Sequence, residues 1–389
     1  MMNTDTLVSL ELLRDLVGFD TTSRNSNLEL IGYIRDYLDR IGIESTLVFD
    51  ETGQKANLYA TIGPRDRGGI LLSGHTDTVP VDGQDWTSDP FTLTRRGDRL
   101  YGRGTADMKG FVAIALAFAP AFAQADLKTP IHYAFSYDEE VGCVGVRRLI
   151  AHLNDLSVRP GMAIIGEPTG MQVISAHKGK LGMRCRVSGH SCHSSLAPQG
   201  VNAVEYAAEV VSYLRGMARR IAKVGPFDID FDIPHTTVHT GVIRGGTALN
   251  IVPSECEFVF EFRHLPEQDP QELLAEVKRF AHEVLEPAMK AIAPDAGFSW
   301  QQLSSTPGLA SEPEDDVVIL AKALAGQNGH AKVAFATEAG PFQKLGGIPA
   351  VVCGPGNIAQ AHKPDEYIEL SEVAKCEAFM RRLLDRATN

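Results

Sequence analysis

The sequence predicts an α/β fold with a second, α+β block set inside it, and three observations carry that prediction. Up to about Gly166, segments of helical apolar spacing alternate with short, continuously apolar runs that read as buried strands. From about Lys180 the texture becomes one of half-exposed strands and long amphipathic helices; from about Gly297 the α/β alternation resumes. A chain of 389 residues also exceeds what one core of ordinary size holds. The expected division is residues 1–179 and 294–389 in one domain, with 180–293 as an inserted domain.

Each element has its own warrant. Leu7, Leu10, Leu13, Leu16 and Val17 fall at helical spacing, so a first helix is expected over Leu7–Phe19. Ser26 and Glu29 form a capping-box pattern ahead of Leu30, Ile31, Ile34, Leu38 and Ile41, and Gly42 sits at the stop. Strands are expected at Glu44–Phe49, Asn57–Ile62 and Gly69–His75. A polar excursion, Val81–Gly102, leads into YGRGTADMKG; the Ala-rich stretch Phe111–Ala125, punctuated by Pro120, reads as a buried helix. The strand Ile131–Tyr137 runs into Asp138-Glu139-Glu140, and the strand Met162–Gly166 runs into Glu167. The insert is expected to hold a strand at Gly182–Ser188, a helix over Asn202–Ala222, strands at Thr236–Ile243 and Cys256–Arg263, and a helix over Pro270–Ala291. After it come a strand at Phe298–Leu303, a helix at Asp315–Ala325 and strands at Lys332–Ala336 and Ile348–Val352.

Composition removes several classes of function. With 44% hydrophobic and 22% charged residues the chain is globular, and a net charge of −12 argues against nucleic acid or an anionic membrane as partner. No apolar run approaches the roughly 18–20 residues of a membrane span, and the N-terminus lacks the basic-then-apolar order of a signal peptide. The six cysteines are scattered without a C-x-x-C pair, against a disulfide framework or a thiolate zinc site. A reducing cytoplasm is the expected location.

The chemistry concentrates where strands end. His75 and Asp77 stand two apart, so in an extended strand they share a side, and the carboxylate can orient the imidazole. Alone, such a pair is ordinary loop polarity. Asp107, flanked by glycines ahead of a helix, reads either as an N-cap or as a ligand. Three consecutive carboxylates at 138–140 are costly unless solvated or bound to cations. In an extended strand only one of Glu139 and Glu140 could face a metal. His362 sits on a Gly/Pro-rich loop after a strand. Thus His75, Asp107, Glu139/Glu140 and Glu167 each close one successive unit with a metal-capable side chain, which coincidence explains poorly.

Taken together and in order, GHTDTVP, GRGTADMKG, DEE, GEPT, GHSCHSS and AHKPDEY resemble the co-catalytic zinc amidohydrolases. That family includes acetylornithine deacetylase, succinyl-diaminopimelate desuccinylase, aminoacylase and carboxypeptidase-type enzymes. SRNSNLELI, TEAGPFQ and CGPGNIAQAHKPDEY look most like its acetylornithine deacetylase branch. The resemblance implies a mixed sheet flanked by helices as a two-zinc catalytic domain, with an inserted α+β sandwich for dimerisation and as a lid. It implies two Zn²⁺ per chain, with Co²⁺ a possible substitute: His75 and Glu167 on one ion, Glu140 and His362 on the other, Asp107 bridging. Two ions about 3.5–4 Å apart can share a water, lower its pKa and polarise a carbonyl. Asp77 would orient His75, Glu139 would be the general base, and His193 would steady the oxyanion from the partner chain of a homodimer. Asn250 and Arg263 are the candidates for the substrate carboxylate.

The implied reaction is deacylation of an N-acyl amino acid, N2-acetyl-L-ornithine with water giving L-ornithine and acetate, a step of arginine biosynthesis. Succinyl-diaminopimelate desuccinylase, aminoacylase or dipeptidase chemistry is the alternative. A non-catalytic metal-dependent binding protein on the same fold would be expected to lack the base or a ligand, and here every such position is occupied. Chain crossings near Ala176–Lys180 and Ala291–Gly297 suggest a hinge.

Overall fold

The computed structural model describes residues 4–389. Residues 1–3, part of the stretch behind the expectation of no signal peptide, lie outside the described residues. The chain divides into two compact units. One comprises the chain up to Ala176 with Leu309–Lys332 and Thr337–Asn389; the other comprises His177–Gly308 with Val333–Ala336.

The first unit is built on a mixed sheet. Its strands run in the order Ser45–Phe49, Ala56–Ile62, Ile131–Ser136, Ile70–His75, Met162–Pro168, Ala350–Gly354, Ile174–His177 and Leu309–Ala310. The four strands in the middle, from Ile131–Ser136 to Ala350–Gly354, are mutually parallel, and Ser45–Phe49 with Ala56–Ile62, Ala56–Ile62 with Ile131–Ser136, and Ala350–Gly354 with Ile174–His177 pair antiparallel. Being covered on both faces, they read as continuous apolar runs: Ile70–His75 and Ile131–Ser136 are buried at every position. Helices Leu28–Arg40, Lys109–Gln124, Asp316–Ala325 and Leu370–Thr388 add their apolar stripes to one core with this sheet.

Two glycines let the helix Lys109–Gln124 come down on the strand ends. A Cβ on Gly74 would meet Met108 Cε at 2.9 Å, and one on Gly166 would meet the Phe111 ring at 2.0 Å. Each glycine directly precedes a candidate ligand, His75 or Glu167. The close approach therefore brings the turn that carries Asp107 to the carboxyl ends of the parallel strands, where α/β sheets present their ligands.

The second unit is a two-layer α+β sandwich. Its antiparallel sheet has the order Thr237–Gly245, Glu255–His264, Gly179–Ser188, Gly297–Thr306. Strand Glu255–His264 alternates strictly between half-exposed and buried positions, with Phe258, Phe260 and Phe262 inside. Over that face lie the helix Ala203–Val224, capped by Asn202, and a second helical run begun by Asp269 and Pro270. That run is not one α-helix over Pro270–Ala291: a π-helical turn, Phe280–Leu285, interrupts it before Glu286–Ile292.

Several expectations are corrected. Strand Gly297–Thr306 does not resume the α/β sheet; it pairs with Gly179–Ser188 and sets Phe298 and Trp300 against the core of the second unit. The return crossing therefore falls at Gly308–Leu309 rather than at 293–294, and Val333–Ala336 also belong to the second unit. At the second helix the N-cap is Asn27, not Ser26, and its side chain does not cap. It bonds the Ala56 backbone and Thr76 Oγ1 instead, because a buried amide fixes the strands more effectively than an exposed helix end. Helices Gly145–Asn154, Ala339–Gly346 and Leu370–Thr388 were not anticipated. Among the described residues, no helix is long and apolar enough to cross a membrane.

The glycine contacts make a direct test. Gly166→Ala overpacks against Phe111 and is expected to destabilise the protein by about 1–3 kcal/mol. Gly216→Ala, on an exposed helical position with nothing within 4 Å, is expected to stabilise by about 0.5–1 kcal/mol. Denaturant titration of both variants beside the wild type checks the two signs.

Candidate metal centre

Seven of the ten residues singled out in the sequence come together in the first unit. His75 ends its strand with Nδ1 2.9 Å from the carbonyl oxygen of Asp77. A carbonyl only accepts, so Nδ1 carries the hydrogen and Nε2 points into the site. That Nε2 lies 3.0 Å from Asp107 Oδ1 and 3.8 Å from Glu167 Oε1. On the other side, His362 Nε2 lies 3.3 Å from Asp107 Oδ2 and 3.0 Å from Glu140 Oε2. Asp107 thus stands between two imidazoles, one oxygen toward each. It is not an N-cap: the helix begins after Met108, with no side-chain cap.

Two sets of donor atoms lie within 4.8 Å of one another, one from His75, Glu139 and Glu167 and one from His75, Asp107 and Glu140. Both glutamates of the acidic run offer a donor atom to these groups, where an extended strand would have let only one face a metal. The chain is not extended there. Asp138 takes φ +54° and turns outward to an ion pair with Lys55, and Glu139 and Glu140 follow on a turn. Asp77 holds that turn: its carboxylate accepts the Glu139 N–H at 3.0 Å, the Glu140 N–H at 3.3 Å and the Ser23 hydroxyl at 2.7 Å. The same carboxylate is 3.5 Å from His75 Nδ1, so its main task is the turn and its backbone carbonyl orients the imidazole.

The remaining three residues lie in the second unit. His193 is exposed; its Nδ1 accepts the Ser195 N–H at 3.2 Å, which leaves the proton on Nε2 as an outward donor. The Asn250 carbonyl accepts the Ser194 N–H at 3.0 Å, and His193 bridges Ile251, so the two segments are neighbours. Arg263 stands apart on the strand Glu255–His264, its Nε donating to Glu261 at 3.0 Å.

Burial and crowding set the charge states. Burial pushes Glu139 up to about 8, reinforced by Glu140 and opposed by His75. Burial, with Asp107 beside it, pushes Glu140 up to about 7, and the same two causes drive Glu167 well above the usual range. Burial also acts on Asp107, but hydrogen bonds from His362 and His75 hold it far below a normal carboxylate. Those to Asp107 and Glu140 raise His362 to about 10. Burial opposes protonation of His75, yet Asp107 and Asp77 raise it well above a free imidazole. The set is all nitrogen and oxygen and rich in carboxylates, which fits zinc or a similar divalent ion.

Two buried carboxylates were missed in the sequence. Glu366, 1% exposed, accepts hydrogen bonds from the backbone of Gly104, Ala106 and Asp107 and from Arg103. Glu338, equally buried, accepts the hydroxyls of Ser136 at 2.6 Å and Ser73 at 3.4 Å, at the ends of two central strands. Both lie within stretches quoted above for the family resemblance, Glu338 in TEAGPFQ and Glu366 in AHKPDEY, but neither follows an apolar strand as the other candidates do.

Residues 71–386 match the family described as peptidase family M20/M25/M40. The chain belongs to this family. It is similar to the acetylornithine deacetylase of Photorhabdus laumondii subsp. laumondii, 37% identical over 383 residues, which is 97% of this chain and 96% of that relative. A solved M20 family metallo-carboxypeptidase, Sso-CP2 from Sulfolobus solfataricus, superposes with a TM-score of 0.76 at 20% identity, over 98% of this chain and 99% of the other. The YXEP protein of Bacillus subtilis, described as a dinuclear metal binding peptidase, superposes at 0.66 and 16% identity, over 98% and 97% of the two chains. As an M20 member the chain is a hydrolase acting on amide bonds, and its fold, a mixed sheet flanked by helices, is that of the family.

A pH dependence follows. Glu139 and Glu140, raised above the ordinary 4.5, keep protons in the folded metal-free chain that the unfolded chain has released. Each therefore lowers stability as pH rises from about 4.5 toward its folded value. His362, raised from 6.5 to about 10, stabilises fully below 6.5 and loses that contribution as pH climbs through about 10. Metal-free protein is expected to melt at progressively lower temperature as pH rises from 5 to 9, and Zn²⁺ binding at pH 7 is expected to release protons. Calorimetry in buffers of different ionisation enthalpy measures that release.

Proposed function

We propose that this chain removes the acyl group from an N-acyl amino acid, with N2-acetyl-L-ornithine as substrate and L-ornithine and acetate as products. The observation that carries the reading is Asp107 shared between His75 and His362, with Glu139 and Glu140 turned in beside it. The choice of substrate is supported by the 37% identity to an acetylornithine deacetylase over nearly the whole chain. In this reading His75, Asp107, Glu140, Glu167 and His362 hold two divalent ions, zinc or cobalt, as the solved dinuclear relative suggests. Bound there, the ions supply Lewis acidity toward the scissile carbonyl and make water more acidic.

The chain's own groups do the rest. Glu139 accepts the proton of the attacking water at a carboxylate oxygen and delivers it to the departing amine nitrogen. Asp77 keeps Glu139 and Glu140 in place through their backbone N–H groups. His193 donates from Nε2 to the oxygen that gains charge, acting from the partner chain of a homodimer. Asn250 and Arg263 take the substrate carboxylate. Pairing of two copies through the second unit is supported by its edge strand Thr237–Gly245, where Val242 and Ile243 are exposed, and by exposed Leu249 and Ile251 nearby. We place the protein in the cytoplasm, in keeping with six free cysteines.

Turnover on a panel of N-acetyl, N-succinyl and dipeptide substrates tests the assignment: acetylornithine should be preferred, and no turnover of it by Zn²⁺-loaded protein rules that substrate out. Glu139→Gln should lower kcat by about 10²–10⁴-fold while elemental analysis still finds the wild-type metal content; retained activity removes the base from Glu139. Mixing inactive Glu139→Ala chains with His193→Ala chains tests the dimer. If His193 works in trans, heterodimers regain one functional site; if activity stays absent while heterodimers form, it does not.

A further inference from the structure

Asp107 and His362 approach each other from loops, and neither sits on a strand of the main sheet. Asp107 ends the loop Gly102–Asp107, and His362, at φ +62°, belongs to the loop between Gly354 and Tyr367. A three-stranded ribbon brings the loops side by side, with Tyr367 in register with Tyr101 at their bases. What joins them above that ribbon is a closed circuit of side chains. Glu366 Oε1 accepts the N–H groups of Ala106 at 2.9 Å and Asp107 at 3.1 Å, and Oε2 accepts that of Gly104 at 3.1 Å. Arg103 Nη1 donates to Glu366 Oε2 at 2.7 Å, and its Nη2 donates to Gln84 Oε1 at 2.6 Å. Gln84 Nε2 then donates to the carbonyl oxygen of His362 at 3.2 Å. Arg103 is 1% exposed, with its guanidinium over the Trp86 ring at 5.0 Å.

We propose that Glu366, Arg103 and Gln84 form a positioning clamp that fixes Asp107 and His362 relative to each other and so governs one of the two cation positions. The clamp rests on the metal-centre reading above. Glu366 stands on the loop of His362 and accepts the amides of Ala106 and Asp107 on the other loop, so a shift of either loop breaks buried bonds to a carboxylate, and a shift of His362 also breaks the more exposed bond from Gln84. His75 and Glu167 need no such device, because the central strands deliver them directly. A buried, paired carboxylate that spans two loops specifies geometry more than it adds stability. Partners of this kind typically govern metal affinity by about 10–100-fold.

Competition between the full-length chain and a chromophoric chelator for Zn²⁺ and Co²⁺ resolves the two positions, with His362→Ala marking the one that depends on the outer loop. In Glu366→Gln the same ion should weaken by about 10–100-fold, the other should bind as in the wild type, and in the His362→Ala background Glu366→Gln should weaken that ion no further. Gln84→Ala, a half-buried loop position that the fold tolerates, should weaken the same ion to a smaller degree and decides the matter if Glu366→Gln does not fold. Unchanged affinities in both variants, or equal weakening of both ions, overturn the clamp. A wild-type chain that takes up fewer than two ions overturns the metal-centre reading instead.

Discussion

One carboxylate shared by two imidazoles organises the first unit. Asp107 offers one oxygen to His75 and the other to His362, from segments separated by most of the chain. Around it Glu139, Glu140 and Glu167 are brought into a space too dry to ionise them all, as their raised affinities for protons show. A cluster of this kind is a cost to folding unless positive charge enters. Protons or divalent ions can supply that charge, and an ion that does so recovers the stability the crowding costs.

Two modes of support hold the cluster. Parallel strands deliver His75 and Glu167, and the glycines before them let the helix Lys109–Gln124 press close enough to bring Asp107 into range. Turns and loops deliver Glu139, Glu140 and His362, and beside each stands a carboxylate outside the two donor groups: Asp77 under the acidic turn, Glu366 between the two loops. Side chains carried by a sheet move little, whereas loop-borne ligands need a second set of hydrogen bonds to be equally well placed. In the second unit, His193 is solvent-facing and its Nδ1 accepts the Ser195 N–H of its own loop.

Most of the candidate donor set was legible because each donor closes an apolar run or lies in a glycine-rich turn, patterns that periodicity exposes. His75 at the end of ILLSGH and Glu167 at the end of AIIGE announce themselves in this way. The strand Gly297–Thr306 was legible as a strand, but its sheet was not, because alternation fixes which face is buried and says nothing about which neighbour covers it. Glu366 and Arg103 lie in quoted motifs, but their pairing was not legible, since a buried ion pair is visible only when both partners are seen in place.

By itself, then, the order of residues determined the class of fold, the inserted α+β block and the chemical type of the centre, because those follow from local periodicity and from the kinds of side chain available. Tertiary structure decided that both Glu139 and Glu140 turn inward, that Asp77 serves the turn as well as the imidazole, and that Glu366 ties Asp107 to the loop of His362. Those outcomes depend on hydrogen bonds between residues far apart in the chain, and such bonds exist only once the strands, turns and loops have been brought together.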